Sequence, residues 1–254
     1  MIDPASPQLL PVLPAARARW SGPAPLSSLH ARALEAHLCA EPAPRALSEL
    51  WQELVTGRVV VVDHFCRHQR CWVIVSDRSE SEPLPASLNE RDVRILTRLL
   101  LGDAQKVVAM DLCLATSSIT LAASQCAHAM GVKATFTRIP TLLVAAAHAH
   151  HARADILSRQ AAFTDADVQL RVLSIDEPST SRALPLTTAE RAIVALLVER
   201  LTNADVAAIR GCSARTVANQ VSTLFRKFRV GTRVQLIARL LTALSEPSIM
   251  PALE

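Results

Sequence analysis

The sequence contains no tyrosine, and aromatic residues make up 3% of its 254 positions. A core so short of rings must be filled by Ala, Leu and Val, a mix that suits helices better than sheets. Glycine is scarce at 6 residues, so a glycine-rich phosphate loop is not expected, and neither G-x-S-x-G nor H-E-x-x-H occurs. No enzymatic activity and no cofactor are expected on these grounds. No apolar run reaches the roughly 18–20 residues that span a bilayer, so no membrane association is expected. The opening stretch from Met1 to Pro14 lacks a basic segment and is broken by prolines, which argues against a signal peptide and for the cytoplasm. The 6 cysteines are scattered over a chain too long for a disulfide mini-scaffold, and most are expected to be buried thiols. The strand and helix content before residue 88 is too small for a doubly wound phosphoacceptor domain.

What is present is a chain able to fold around a core, since 50% of residues are hydrophobic and 20% charged. Its length fits one to three domains at about 100–200 residues each. The formal net charge is +4, from 27 basic and 23 acidic residues, so the placement of charge matters more than its sum. Residues 1–30 are proline-rich and read as an arm. Residues 31–85 read as helices followed by a β-hairpin, in which Val- and Ile-rich runs flank the polar Arg67–Arg70. Residues 86–160 are helical in pattern, and 161–185 hold a strand (Val168–Ile175) and a linker. Residues 186–246 are again helical, and 247–254 read as a tail.

The chain also resembles itself. Shifting residue 88 onto residue 186 aligns 45 positions without a gap, with identities at Leu88/Leu186, Ile95/Ile193, Leu99/Leu197, Val108/Val206, Ala109/Ala207, Ser124/Ser222 and Val132/Val230. The apolar pattern carries the likeness further than the identities do, and a Leu-Pro pair precedes each segment (Leu84–Pro85 and Leu184–Pro185).

The second segment carries the clearer chemistry. Thr187 and Glu190 have capping-box spacing, Thr202 and Asp205 open a shorter helix, and Gly211 breaks it. Ser213 then caps a helix from Ala214 to Phe228, which completes a helix-turn-helix pattern. Arg215/Asn219 and Thr216/Gln220 are pairs four apart, so they share a face, while Val217, Val221 and Leu224 take the other. Arg can fork onto guanine and Asn or Gln onto adenine. Arg226, Lys227 and Arg229 extend positive charge to where phosphates would lie. Residues 186–245 hold nine basic groups against three acids, so the excess is concentrated there.

This segment resembles the LuxR-type (GerE-like) DNA-binding domain. The motifs that carry the resemblance are Leu186-Thr187-x-x-Glu190, Thr202-Asn203-x-x-Val206-Ala207, Ser213-x-Arg215-Thr216-Val217-x-Asn219-x-Val221, and Lys227-x-x-Val230-x-x-Arg233. The resemblance implies a four-helix domain that binds double-stranded DNA as a dimer, often pairing through its fourth helix. It places Asn203, Ser213, Arg215, Thr216, Asn219, Gln220, Arg226, Lys227 and Arg233 at the DNA. Departures occur at Ala218 and Gln220, where Lys and His are frequent, and at Gly211–Cys212. These bear on base preference more than on fold.

The first segment keeps the apolar pattern and lacks the contacts, since Thr116-Ser117-Ser118-Ile119-Thr120-Leu121-Ala122-Ala123 holds no basic or amide side chain. A degenerate copy that packs, dimerises or regulates is expected. The fold class expected is mostly α with a small β element: two tandem LuxR-like four-helix bundles, each preceded by short strands. The partners expected are duplex DNA and either a homodimer or an intramolecular pseudo-dimer of the two copies. The function expected is transcription regulation. The alternative is a protein-interaction module on the same scaffold that does not itself bind specific DNA. His64, Cys66, His68 and Cys71 include a zinc-type donor set, and Cys66 and Cys71 flank the turn where they could lie across from each other, so a zinc or redox site is conceivable; but the four are cramped into one turn with no standard ligand spacing, so a plain exposed hairpin is expected and no metal.

Overall fold

The computed structural model describes residues 27–39, 42–78, 84–132, 139–152, 156–180 and 184–245. The proline-rich arm, except its last four residues, and the tail at 247–254 lie outside the described residues. The chain begins with α1 (Ser28–Cys39), β1 (Ala43–Ala46) and α2 (Leu47–Val55), followed by the hairpin strands β2 (Val59–Arg67) and β3 (Arg70–Asp77). Three helices come next: α3 (Glu90–Leu100), α4 (Gln105–Asp111) and α5 (Thr116–Ala129). Then α6 (Thr141–Ala152) leads into a second hairpin, β4 (Leu157–Asp165) and β5 (Val168–Asp176). The last four helices are α7 (Thr188–Val198), α8 (Asn203–Arg210), α9 (Ala214–Phe228) and α10 (Arg233–Ser245).

Both hairpins close with two residues in the left-handed region, His68 and Gln69 at φ 51° and 59° and Ala166 and Asp167 at φ 44° and 66°. Two positive φ values match the right-handed twist of the flanking strands. The hairpins join edge to edge into one antiparallel sheet of order β1-β4-β5-β3-β2. Its centre is the β3–β5 pair, where Ile74 lies opposite Val172. The elements recur at a spacing of 98 residues (Val59 to Leu157, Arg70 to Val168, Glu90 to Thr188). Ile74 and Val172 share that spacing, so a local pseudo-twofold axis passes between them.

The two sheet faces bury different partners, as period-two alternation requires. Val73, Val75, Leu173 and Ile175 face the main core with Leu47, Leu50, Trp51 and Leu54 of α2 and nearly the whole of α6. Each such side chain contributes about 1.5–3 kcal/mol by leaving water. Trp72, Ile74, Leu170 and Val172 face α1 through Ala33, Leu29 and Leu34. The α3–α5 group is fixed to the sheet margin, where Val61 N donates to Met130 O at 2.8 Å. Gly131 sits there at φ +86°, and a Cβ on it would come within 2.1 Å of Val61 O. Among the described residues no single helix is long and apolar enough to cross a membrane.

Two tandem four-helix bundles with a small β element do not describe this chain. A five-stranded sheet occupies the middle. The fourth helix that the first bundle would need is α6, and α6 instead lies along α2 beneath the sheet and under α10. The physical reason is its sequence. Leu142, Leu143, Val144, Ala145, Ala146, Ala147 and Ala149 are all buried, and a helix apolar on every side is enclosed between layers. β4 escaped notice because Leu157–Asp165 carries one β-branched residue, Thr164, and its inward positions are small: Ser158 and Ala161.

Candidate nucleic-acid interface

The three helices α7, α8 and α9 are each started by a side-chain cap. Thr187 and Glu190 form a full capping box at α7, and Thr202 with Asp205 forms another at α8. Ser213 Oγ accepts from the Thr216 amide at 3.0 Å and opens α9. Between α8 and α9 stands Gly211 at φ 64°, ψ 34°, with open space where a Cβ would go. The left-handed backbone rather than crowding therefore selects glycine there. The result is a short helix, a tight turn and a 15-residue helix.

α9 is divided lengthwise. Val217, Val221 and Leu224 are buried against α8 and the core, and Phe225 and Phe228 pack beside them. Arg215, Thr216, Asn219, Ser222, Thr223 and Arg226 are exposed. Among the described residues, neither the Arg215 nor the Asn219 side chain is engaged by another protein group, and the two stand one turn apart near the helix N-terminus. Thr216 Oγ1 and Ser213 Oγ lie 2.8 Å apart in the first turn. Among the described residues, Arg226 reaches only Thr223 Oγ1, at 3.4 Å.

The other residues expected at DNA are engaged or enclosed within the protein. Lys227 Nζ pairs with Glu190 Oε2 at 2.7 Å, and this partner holds the Glu190 carboxyl below its ordinary range. Arg233 donates to Asn203 Oδ1 at 2.8 Å and to the Leu201 carbonyl, clasping α10 to the start of α8. Burial lowers the Arg233 pKa from its ordinary value. Gln220 is half-buried, and its Oε1 is enclosed without a hydrogen-bond partner. The structure thus gathers Ser213, Arg215, Thr216, Asn219 and Arg226 on one open face. It engages Asn203 and Arg233 with each other, half-buried, and Lys227 with Glu190 at the surface. Sequence spacing could not separate the two sets, because these contacts depend on partners 30 to 37 residues away.

Two further cations flank the open face. Arg229 is exposed and terminates α9 in the left-handed region at φ 54°. Arg210 donates to the Ala189 carbonyl at 3.3 Å, beside the α8–α9 turn. By contrast, the exposed residues of α5 are Thr116, Ser117, Ser118, Thr120, Leu121, Gln125 and His128, with no Arg or Lys among them.

The hairpin donors are not brought together as a set. Cys66 and Cys71 face each other across the strands with sulfurs 3.3 Å apart. His64 borders a cavity with them, while His68 stands exposed in the turn beside a separate groove lined by Leu34 and His37. Among the described residues, no group of three His, Cys, Asp or Glu side chains is placed to hold a metal ion.

Compared with known families, residues 184–240 match the family described as bacterial regulatory proteins, luxR family. The match covers α7, α8, α9 and the first part of α10 and does not extend to α3–α5. No curated protein and no solved structure gives a significant match to the chain. The capped helices, the glycine turn and the divided α9 therefore lie within a luxR-family helix-turn-helix domain, which this chain carries at residues 184–240.

Proposed function

We propose that the chain is a cytoplasmic transcription regulator that reads duplex DNA with α9. The observation that carries this is the open face of α9, where Arg215 and Asn219 extend from the first two turns with no protein partner among the described residues. In this pose Arg215 addresses guanine and Asn219 adenine in the major groove. Ser213, Thr216 and the amide dipoles of the α9 N-terminus fix the helix against phosphate, and Arg226 and Arg229 neutralise phosphates at its far end. Lys227 and Arg233 hold the reading helix in place rather than contact DNA. The activity is binding rather than catalysis. The α3–α5 group, a degenerate relative of the reading domain, serves packing and regulation, because its exposed α5 face has no cation to offer phosphate.

The test is duplex-DNA affinity as a function of salt, followed by selection of a preferred site. Log K should fall with log[salt] at about 0.9 per phosphate neutralised. Arg215→Ala and Asn219→Ala should each lower affinity for the selected site by about 1–3 kcal/mol, roughly 5- to 150-fold, with the fold unchanged by circular dichroism. Lys227→Ala should act through stability, leaving the salt slope as it was. Absence of binding at low salt would overturn the proposal and leave the bundle as an interaction scaffold.

A further inference from the structure

The β2–β3 hairpin carries chemistry that DNA reading does not use. Cys66 and Cys71 are direct cross-strand partners, and their sulfurs lie 3.3 Å apart. In a hairpin closed by two residues, the pair next to the turn, here Arg67 and Arg70, exchanges hydrogen bonds and the following pair does not. Cys66 and Cys71 occupy that following position, where Cα atoms approach to about 4.5 Å. This separation lies inside the roughly 4.4–6.8 Å that a disulfide spans. The strands therefore need not move for the sulfurs to bond. Among the described residues, the other cysteines do not form such a pair. Cys39 and Cys113 are exposed, Cys212 is half-buried and Cys126 is buried.

The two thiols are unequal. Cys71 is buried, and the neighbouring Cys66 sulfur together with burial holds its thiol well above the ordinary range. Cys66 is half-buried and opens onto a cavity of about 280 Å³ bounded also by His64, Thr141 and Arg200. Cys71 also borders the cavity, but its burial leaves Cys66 the more accessible of the two sulfurs to a small polar oxidant there.

We propose that Cys66 and Cys71 are a reversible dithiol–disulfide pair oxidised by hydrogen peroxide or a small hydroperoxide. The Cys66 thiolate attacks one peroxide oxygen and breaks the O–O bond; the sulfur keeps a hydroxyl as sulfenic acid, and the departing hydroxide (or alkoxide from a hydroperoxide) takes up the proton the thiol gave off and leaves as water (or an alcohol). The Cys71 sulfur then attacks the Cys66 sulfur, forming the S–S bond and releasing the hydroxyl as a second water after proton transfer. Two thiols lose two electrons in all, and the peroxide takes them up. Only four residues separate the cysteines, so the bridge adds little loop-closure stabilisation. It is suited to reversal rather than to holding the fold together.

The experiment is titration of the full-length, reduced chain with hydrogen peroxide. Unreacted thiols are counted, and a non-reducing peptide digest is read by mass spectrometry. Loss of two thiols per chain, a Cys66–Cys71 cross-linked peptide lighter by two hydrogens, and full recovery with dithiothreitol are expected. In Cys71→Ser the sulfenic acid should persist at Cys66 and be captured by dimedone. In Cys66→Ser, Cys71 should stay reduced. The proposal is overturned if Cys66 advances to sulfinic acid without cross-linking, or if Cys39 and Cys113 are consumed while the pair stays reduced. Each outcome is independent of whether the chain binds DNA.

Discussion

Two histidines outside the luxR-family domain make stability sensitive to pH. His148 Nε2 donates to the Leu100 carbonyl at 3.1 Å inside the α3–α6 contact, and burial lowers its pKa from the ordinary 6.5. His64 is lowered likewise, burial outweighing the opposite pull of Asp63. A depressed folded pKa means that the unfolded chain binds more protons as pH falls below 6.5. The stabilisation is present above that value and is lost as pH falls through the folded values. The urea midpoint should therefore drop between about pH 7 and about pH 5. His148→Asn, which can still donate to Leu100, should shrink the drop. Two glycines give a second comparison at this scale. Gly211→Ala should cost about 1–2 kcal/mol, since only its left-handed backbone opposes a side chain. Gly131→Ala should cost more, because the added carbon also meets the Val61 backbone, and urea unfolding would rank the two.

At the level of elements, the two hairpins use uncommon residues for their turns. Ala166 and Asp167 both hold positive φ, which Asn-Gly accepts with less strain. The double substitution Ala166→Asn, Asp167→Gly should raise stability by a few tenths to about 1 kcal/mol, seen as a higher midpoint with an unchanged m-value. How well each element could be foreseen followed how local its signals are. α7, α8 and α9 declared themselves through Thr187–Glu190, Thr202–Asp205, Ser213 and Gly211, all acting within four residues. The β2–β3 hairpin did so through runs of Val and Ile. β1 and β4 did not, because Ala43–Ala46 and Leu157–Asp165 are strands by virtue of their neighbours. α6 was legible as a helix but not as a member of the sheet layer, since that depends on α2, nearly 100 residues earlier. The interface divided in the same way. The shared face of Arg215 and Asn219 follows from helical spacing alone, whereas the contacts of Lys227 and Arg233 rest on distant Glu190 and Asn203.

Over the whole molecule, the luxR-family domain is not an appendage. Leu236, Ile237, Ala238, Leu240 and Leu241 of α10 are buried, and α10 packs on α6 as well as on α9. Gln235 Nε2 also donates to the Gly102 carbonyl at 3.0 Å, joining α10 to the end of α3. The apolar side of α10 is thus occupied within the chain. A fragment of residues 184–245 would uncover it, and should self-associate or unfold at lower urea than the full chain. Size-exclusion chromatography and urea unfolding of the two would decide.

The pseudo-twofold arrangement is broken at one place with a mechanical result. Gly131 and Arg229 occupy matching positions at the ends of α5 and α9, and both are left-handed. Gly131 lies against the edge strand β2, whereas the matching edge of β4 is taken by β1, and Arg229 is left in solvent. The α3–α5 group is thereby joined to the sheet edge, while the far end of α9 is held instead by the Lys227–Glu190 pair and by Phe225 and Phe228. Amide exchange should register this as two opening energies, a high one shared by the Val61 amide and the sheet, and a lower one for the last turn of α9. A displacement of the sheet edge is therefore passed directly to the end of α5, whereas among the described residues it reaches the end of α9 through neighbouring helices.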